Sequence, residues 1–417
     1  MTSVNTEQKI IAENMAEHRR GLIRQMFGRM KQYNVTAKEI CGRKIKVDQE
    51  HWVIDFASCN YLGLDLDKDM FLNVSEEIEK WGVHPSWCRL VASPEIYNRL
   101  ENEISNLIGT EACVIFPTVT LISIGVIPAI VGKAGVMFLD KSGHETMYEG
   151  CKIARDNGAI LESFKQNDFC TLENLLIKHK DNSRKLILVD GVYSMTGDYA
   201  NIPRLVELAK KYDALLYIDD AHGFGVVGEK PSKEFPYGHR GNGIVKYYGM
   251  NYENIIYVGG CSKAYSSLAA FVGCSKEMET FIEAFATPYD LSGPCPVASL
   301  ATMLQGLKIN EERGDLYREK LYQLTHKAIT GLRNLGFNVV NNTEFPIISV
   351  HIGDTDKLID SANRMFDEDG ILVTVSPYPM MKKGEEVQRI TMTAANTEEE
   401  VDTLIKAFSK IKSQIFE

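Results

Sequence analysis

The stretch GGCSKAYSS, Gly259–Ser267, sets Lys263 just beyond the apolar run NIIYV, among glycine, alanine and serine. Lysine is rarely buried without a partner, and no acid stands beside it in the sequence. A second apolar run does end in acid: LLYIDDAHGFGVVG places Asp219 at its mouth and His222 in the turn behind. A carboxylate in a cleft can pair with a ring N–H⁺, and an amine can condense with an aldehyde. Pyridoxal phosphate (PLP) needs both, a Schiff-base lysine and an acid that keeps its ring nitrogen protonated. Taken singly, each residue is an ordinary strand-end side chain. Taken together, they are a chemical pair.

Such residues need strands to carry them. The β-branched runs ACVIF, GVMFLD, ILESF, KLILVDGV, LLYIDDA, NIIYVGG and FVGCS alternate with helix-periodic segments such as LENLLIKHK and IPRLVELAKKYD. This alternation predicts a mostly parallel sheet covered by helices on both faces, with ligands bound at the carboxyl ends of the strands. After about Met278 a long helical region runs to Leu335. FNVVNN, IISVHI, ILVTVS and RITMTA follow, with helices at DKLIDSANRMF and EEEVDTLIKAFSKI. The expected organisation is an N-terminal helix and strand segment at 1–60, a large α/β domain at 61–290 and a smaller α+β domain at 291–417.

The bulk numbers bound the function. The chain has 417 residues, 44% apolar and 24% charged, with a net charge of −10, which argues against a nucleic-acid or anionic-membrane surface. Nine cysteines without a CxxC pair indicate a reduced, cytoplasmic setting and no zinc or redox motif. The apolar stretch Cys113–Gly132 is long enough to span a bilayer, but Pro117, Thr118, Thr120, Ser123 and Pro128 interrupt it, so a strand and a buried helix are expected there and no membrane span. GFGVVG, Gly223–Gly228, satisfies GxGxxG. The following EKPSKEFPYGHRGNG is loop chemistry, and Asp219 and Asp220 would repel a pyrophosphate, so a dinucleotide site is not expected.

Five landmarks stand in order along the chain: NYLGL, DKSGHETMYEGC, DGVYSMTGD, DDAHGFGVVG and SKA. In these the chain resembles the α-oxoamine synthase family of fold-type-I PLP-dependent enzymes, from FASCNYLGLD near Phe56 to the C-terminal RITMTAANTEEEVDTLIKAF. The resemblance implies that Lys263 holds PLP and moves protons at the substrate Cα, while Asp219 pairs the ring nitrogen. It implies His144 stacked on the ring with Ala221 on the other face, and Ser194 and His222 on the 3′-oxygen. The phosphate is expected at Thr118, Val119 and Thr120, with Ser262 beside them and Ser292 reaching in from a homodimer partner across a shared site. Arg389 is expected to clamp the amino-acid carboxylate, and Asn60 to contact the substrate.

The implied reaction condenses an amino acid with acyl-CoA or an acyl-carrier protein, losing CO2 to give an α-amino ketone. Three departures from the family pattern stand out. GVHPSWCRL replaces a glycine-rich stretch, Tyr97 replaces a histidine, and Gly260 replaces a threonine. These changes leave the cofactor core intact and alter segments expected near the acyl donor. A PLP-dependent aminotransferase is the alternative reading, and a non-catalytic subunit of a heteromeric synthase is a third.

Overall fold

The computed structural model describes residue 21, residues 25–47 and residues 50–413. The N-terminal helix expected in the first residues lies largely outside them. The chain forms two compact units, 60–194 with 198–322, and 1–59 with 195–197 and 323–417.

The smaller unit begins with β1 (Glu39–Cys41), β2 (Lys44–Lys46) and β3 (Trp52–Asp55). The larger is built on β4 (Ala112–Phe116), β5 (Val136–Asp140), β6 (Ile160–Phe164), β7 (Lys185–Asp190), β8 (Leu215–Asp219), β9 (Ile255–Gly260) and β10 (Ala270–Cys274). These seven strands form one sheet in the order β4-β10-β9-β8-β7-β5-β6. Every residue of β4, β5, β7, β9 and β10 is buried, as near-continuous apolar strands require when both sheet faces are covered. At the edge, β6 is mostly exposed or half-buried.

The sheet is parallel from β9 through β6, but β10 runs antiparallel to both β9 and β4. The cause is local. Parallel neighbours need a crossover of a dozen residues or more, and β9 joins β10 through the short turn Cys261–Ala269. That turn carries Lys263. It closes through Cys261 N–H to Ala269 O (2.9 Å) and Ser266 N–H to Lys263 O (3.1 Å). Ser267 ties it to the helix Val297–Asn334, lying 2.7 Å from Ser299 O and 2.8 Å from Thr302 Oγ1.

These ties bear on domain organisation. The sequence places a boundary at 290/291, whereas the two units divide between Tyr322 and Gln323, inside that 38-residue helix. Its early turns bury Leu300 and Met303 and bond to the lysine turn, so they group with the large sheet.

The suspected membrane stretch resolves into β4 and the helix Val119–Val131. Among the described residues no helix is long and apolar enough to cross a membrane. That helix packs on Glu145–Asp156, where Gly150 permits close approach: a Cβ there would lie 2.3 Å from Ser123 O. Two helices that begin at strand ends are thereby locked together.

The smaller unit is completed by β11 (Ile347–His351), β12 (Ile371–Leu372), β13 (Thr374–Ser376) and β14 (Val387–Thr391). They make a sheet β11-β14-β13 and extend β1-β2-β3 through β12. Glu398–Ile411 starts with a full capping box between Thr397 and Glu400. FNVVNN forms no named strand; it contributes one bridge, Val339 to Val350.

Candidate active site

At the carboxyl ends of β8 and β9 a cavity of about 190 Å³ opens, and Asp219, Ala221, His222, Ser262 and Lys263 line it. Thr118, Val119 and Thr120 come from the start of the helix after β4, and His144 from the start of the helix after β5. Four stretches far apart in sequence thus share one wall. A larger cleft of about 300 Å³, lined by Ile130, Arg184 and Phe281 among others, gathers none of these groups.

Asp219 is 5% exposed, and its Oδ1 accepts the Ala221 N–H at 3.1 Å. Burial pushes its carboxyl above the usual range, while the charges of Lys263 and His144 pull it back. The Lys263 amine makes no hydrogen bond or ion pair among the described residues, although its charge is felt by Asp219 and Asp190. A carboxyl whose burial is under-compensated fits a ring cation. An amine without a partner fits a carbonyl compound. The phosphate would meet the first turn of Val119–Val131, whose N–H groups lack intrahelical acceptors. One of these is already used, since the Leu121 N–H caps onto Thr118 Oγ1 at 3.2 Å.

His144 is the N-cap of its helix, and its Nδ1 accepts the Thr146 N–H at 3.3 Å. His222 Nδ1 lies 2.7 Å from the hydroxyl of the fully buried Tyr61. Ser194, Ser292 and Asn60 do not line the wall. The Ser292 hydroxyl donates to Pro288 O at 2.6 Å, and Asn60 O accepts the Gly63 N–H at 2.8 Å. Arg389 belongs to the smaller unit, on β14 opposite Ser349 and Thr374. There its Nη2 stands 3.8 Å from Cys59 Sγ, and its buried Nε has no hydrogen-bond partner among the described residues. Such an orphaned donor suits a carboxylate.

Sequence reasoning missed Asp190, Thr146 and Leu268 in the wall, and Tyr61 behind His222. For Asp190 a signal existed: KLILVD ends a buried strand in acid just as LLYID does. The departures also gain reasons. A Cβ at Gly260 would lie 3.1 Å from Ala221 Cβ and 3.3 Å from Val119 Cγ2, so a larger side chain there would crowd both residues. Tyr97 is buried; its hydroxyl accepts the Cys295 N–H at 2.6 Å, and its ring carries the Arg89 guanidinium at 4.0 Å. Arg89 pairs with Glu101 at 2.7 Å. Both residues hold the fold and stand outside the cavity wall.

GFGVVG opens no helix. A Cβ at Gly223, Gly225 or Gly228 would meet Asp220 Oδ1, Ala264 Cβ or His239 O at 2.1, 2.5 and 2.0 Å. These glycines serve close packing behind the site.

An α/β sheet with this constellation at its strand ends defines a class of PLP-dependent transferases, and residues 53–408 match the aminotransferase class I and II family. The chain belongs to that family. It is 32% identical over 365 residues to the 8-amino-7-oxononanoate synthase of Thermoanaerobacter pseudethanolicus, covering 87% of this chain and 88% of that one. The synthase of the same name from Petrotoga mobilis is also 32% identical, with coverage of 86% and 88%. A serine palmitoyltransferase from S. paucimobilis, solved with a bound PLP–myriocin aldimine, superposes with a TM-score of 0.85 over all of both chains at 22% identity. At that identity the likeness speaks for the fold.

Proposed function

We propose that this chain is an α-oxoamine synthase, a PLP-dependent acyltransferase that condenses an amino acid with an acyl thioester, releasing thiol and CO2 and leaving an α-amino ketone. The observation that carries this reading is the convergence of Lys263, Asp219 and His144 on one strand-end cavity, in a chain whose relatives are synthases of this kind. When bound, PLP supplies an aldehyde for a lysine amine and a protonated ring that withdraws electrons from an amino-acid Cα.

This chain's residues do the rest. Lys263 would hold the cofactor, give way to the substrate amine and take the Cα proton. Asp219, His144 and Ala221 would hold the ring, with Asp219 keeping its nitrogen protonated. Ser194 and His222 serve the 3′-oxygen. The first turn at Thr118–Thr120 and Ser262 receive the phosphate. Arg389 orients the amino-acid carboxylate, and Asn60 contacts the substrate.

We place the enzyme in the cytoplasm as a homodimer. All nine cysteines are free thiols, as in a reducing compartment. For the dimer, Val83, Leu90, Val91 and Leu291 are 69%, 63%, 76% and 76% exposed. Hydrogen bonds from His84 to Pro294 O and from Cys88 to Asp290 join their two segments. An exposed apolar patch of this kind marks an interaction surface. Ser292, next to Leu291, then serves the partner's phosphate site.

The test is a matrix of amino acids against acyl-CoA and acyl-carrier-protein donors, scored by thiol release and product mass. Borohydride reduction and peptide mapping run alongside. Thiol release with PLP mapped to Lys263 is expected. Label elsewhere would overturn the reading; amine-form cofactor without thiol would make the chain an aminotransferase.

A further inference from the structure

One buried acid of the cavity wall has no task in that scheme. Asp190 ends β7, is 3% exposed and stands directly opposite Asp219 in the parallel register. It accepts the main-chain N–H of His144 at 3.0 Å through Oδ1. His144 is reached from β5 by a turn that is itself tied down. Asp140 takes the Ser142 N–H on Oδ1 (2.8 Å), the Gly143 N–H on its carbonyl (3.0 Å) and the Tyr193 hydroxyl on Oδ2 (2.7 Å). On the helix side the imidazole Nδ1 accepts from Thr146 N–H and lies 2.9 Å from Thr146 Oγ1. The main chain of His144 is therefore clamped by Asp190 and its ring by Thr146.

We propose that Asp190 is a positioning residue of the cofactor site, holding His144 in the cavity wall as a hydrogen-bond acceptor and not as a charge. The inference rests on the PLP reading above. Two facts favour acceptor over charge. Burial and the adjacent Asp219 push the Asp190 carboxyl well above its usual range, which favours the neutral acid. A second anion beside Asp219 would also repel the one charge the ring cation requires. A neutral side chain of the same shape with a carbonyl oxygen therefore does the same work.

The experiment titrates PLP into the full-length apo chain, followed by visible absorbance and circular dichroism. It compares wild type, Asp190→Asn, Asp190→Ala, His144→Ala and the double variant His144→Ala/Asp190→Ala. Losing a hydrogen bond to a buried acid predicts about tenfold weaker PLP binding in Asp190→Ala and a smaller visible dichroic band. Asp190→Asn stays within about threefold of wild type. In the His144→Ala background, Asp190→Ala adds little further loss, since residues acting through one another are non-additive. If the alanine variant does not fold, Asp190→Leu removes the acceptor and keeps the volume. The inference is overturned if Asp190→Asn is as impaired as Asp190→Ala, or if the loss is equally large without His144. Either result leaves the PLP reading standing, because wild type still takes up the cofactor. A wild type that takes up none overturns both.

Discussion

Three acids stand at adjoining strand ends, and their surroundings divide their work. Asp219 faces the cavity with Lys263. Asp190 holds the His144 main chain. Asp220 points away from the cavity, and its Oδ2 accepts the Tyr257 hydroxyl at 2.7 Å and the Ile244 N–H at 2.8 Å. Its Oδ1 lies between Gly191 and Gly223 with no hydrogen bond among the described residues. Burial pushes the Asp220 carboxyl up to about 7. A raised acid binds its proton more tightly in the folded state, so its stabilising share is complete below the unfolded value and is lost as pH rises towards 7. Asp220→Asn abolishes that titration. Its stability relative to wild type should improve by roughly 2–3 kcal/mol between about pH 5 and pH 7.5, given 1.36 kcal/mol per unit. Urea unfolding at the two pH values reads this directly, and a gap that does not change with pH excludes Asp220 as the titrating group.

At the scale of elements, the site is made where secondary structures begin and end. Two helices start at the cavity, and Gly150 lets them pack backbone to backbone, so Thr118–Thr120 and His144 are held by one rigid pair. The segment 82–101 looked like altered substrate machinery in the sequence. In the fold, Arg89 lies over the Tyr97 and Tyr289 rings at 4.0 and 5.1 Å and bonds Glu101 and Ile115 O, which fastens that segment to β4. Tyr97→Phe keeps the ring under Arg89 but strands the Cys295 N–H. It should cost about 1–3 kcal/mol in urea unfolding while PLP affinity stays near wild type. A PLP loss of tenfold or more would put Tyr97 in the site after all.

For the whole molecule, the division inside Val297–Asn334 groups the lysine turn and the start of that helix in one compact unit. The N-terminal segment groups with the C-terminal sheets through β12 and β3, which pair in parallel. Assembly is the level above. On the proposed homodimer, Leu291→Glu places a charge in the exposed apolar patch and should convert dimer to monomer in sedimentation velocity. PLP affinity should fall with it, since the proposed dimer has Ser292 serving the neighbouring subunit's phosphate site. A wild-type monomer, or a Leu291→Glu dimer with unchanged affinity, contradicts the shared site.

The strand and helix order of the large sheet, the placing of Lys263 and Asp219 at strand ends and the GFGVVG turn were legible in the sequence because each rests on local rules: period, turn chemistry and residue type along a few residues. The role of Asp190, the close approach of Val119 to Gly260 and the structural use of Tyr97 and Arg89 were not. Each depends on which strands become neighbours and how closely two backbones approach. Those distances arise only when the β8–β7 register sets Asp219 against Asp190 and the glycines let the layers close. Covalent chemistry is written in residue types; pairing across space is decided by packing.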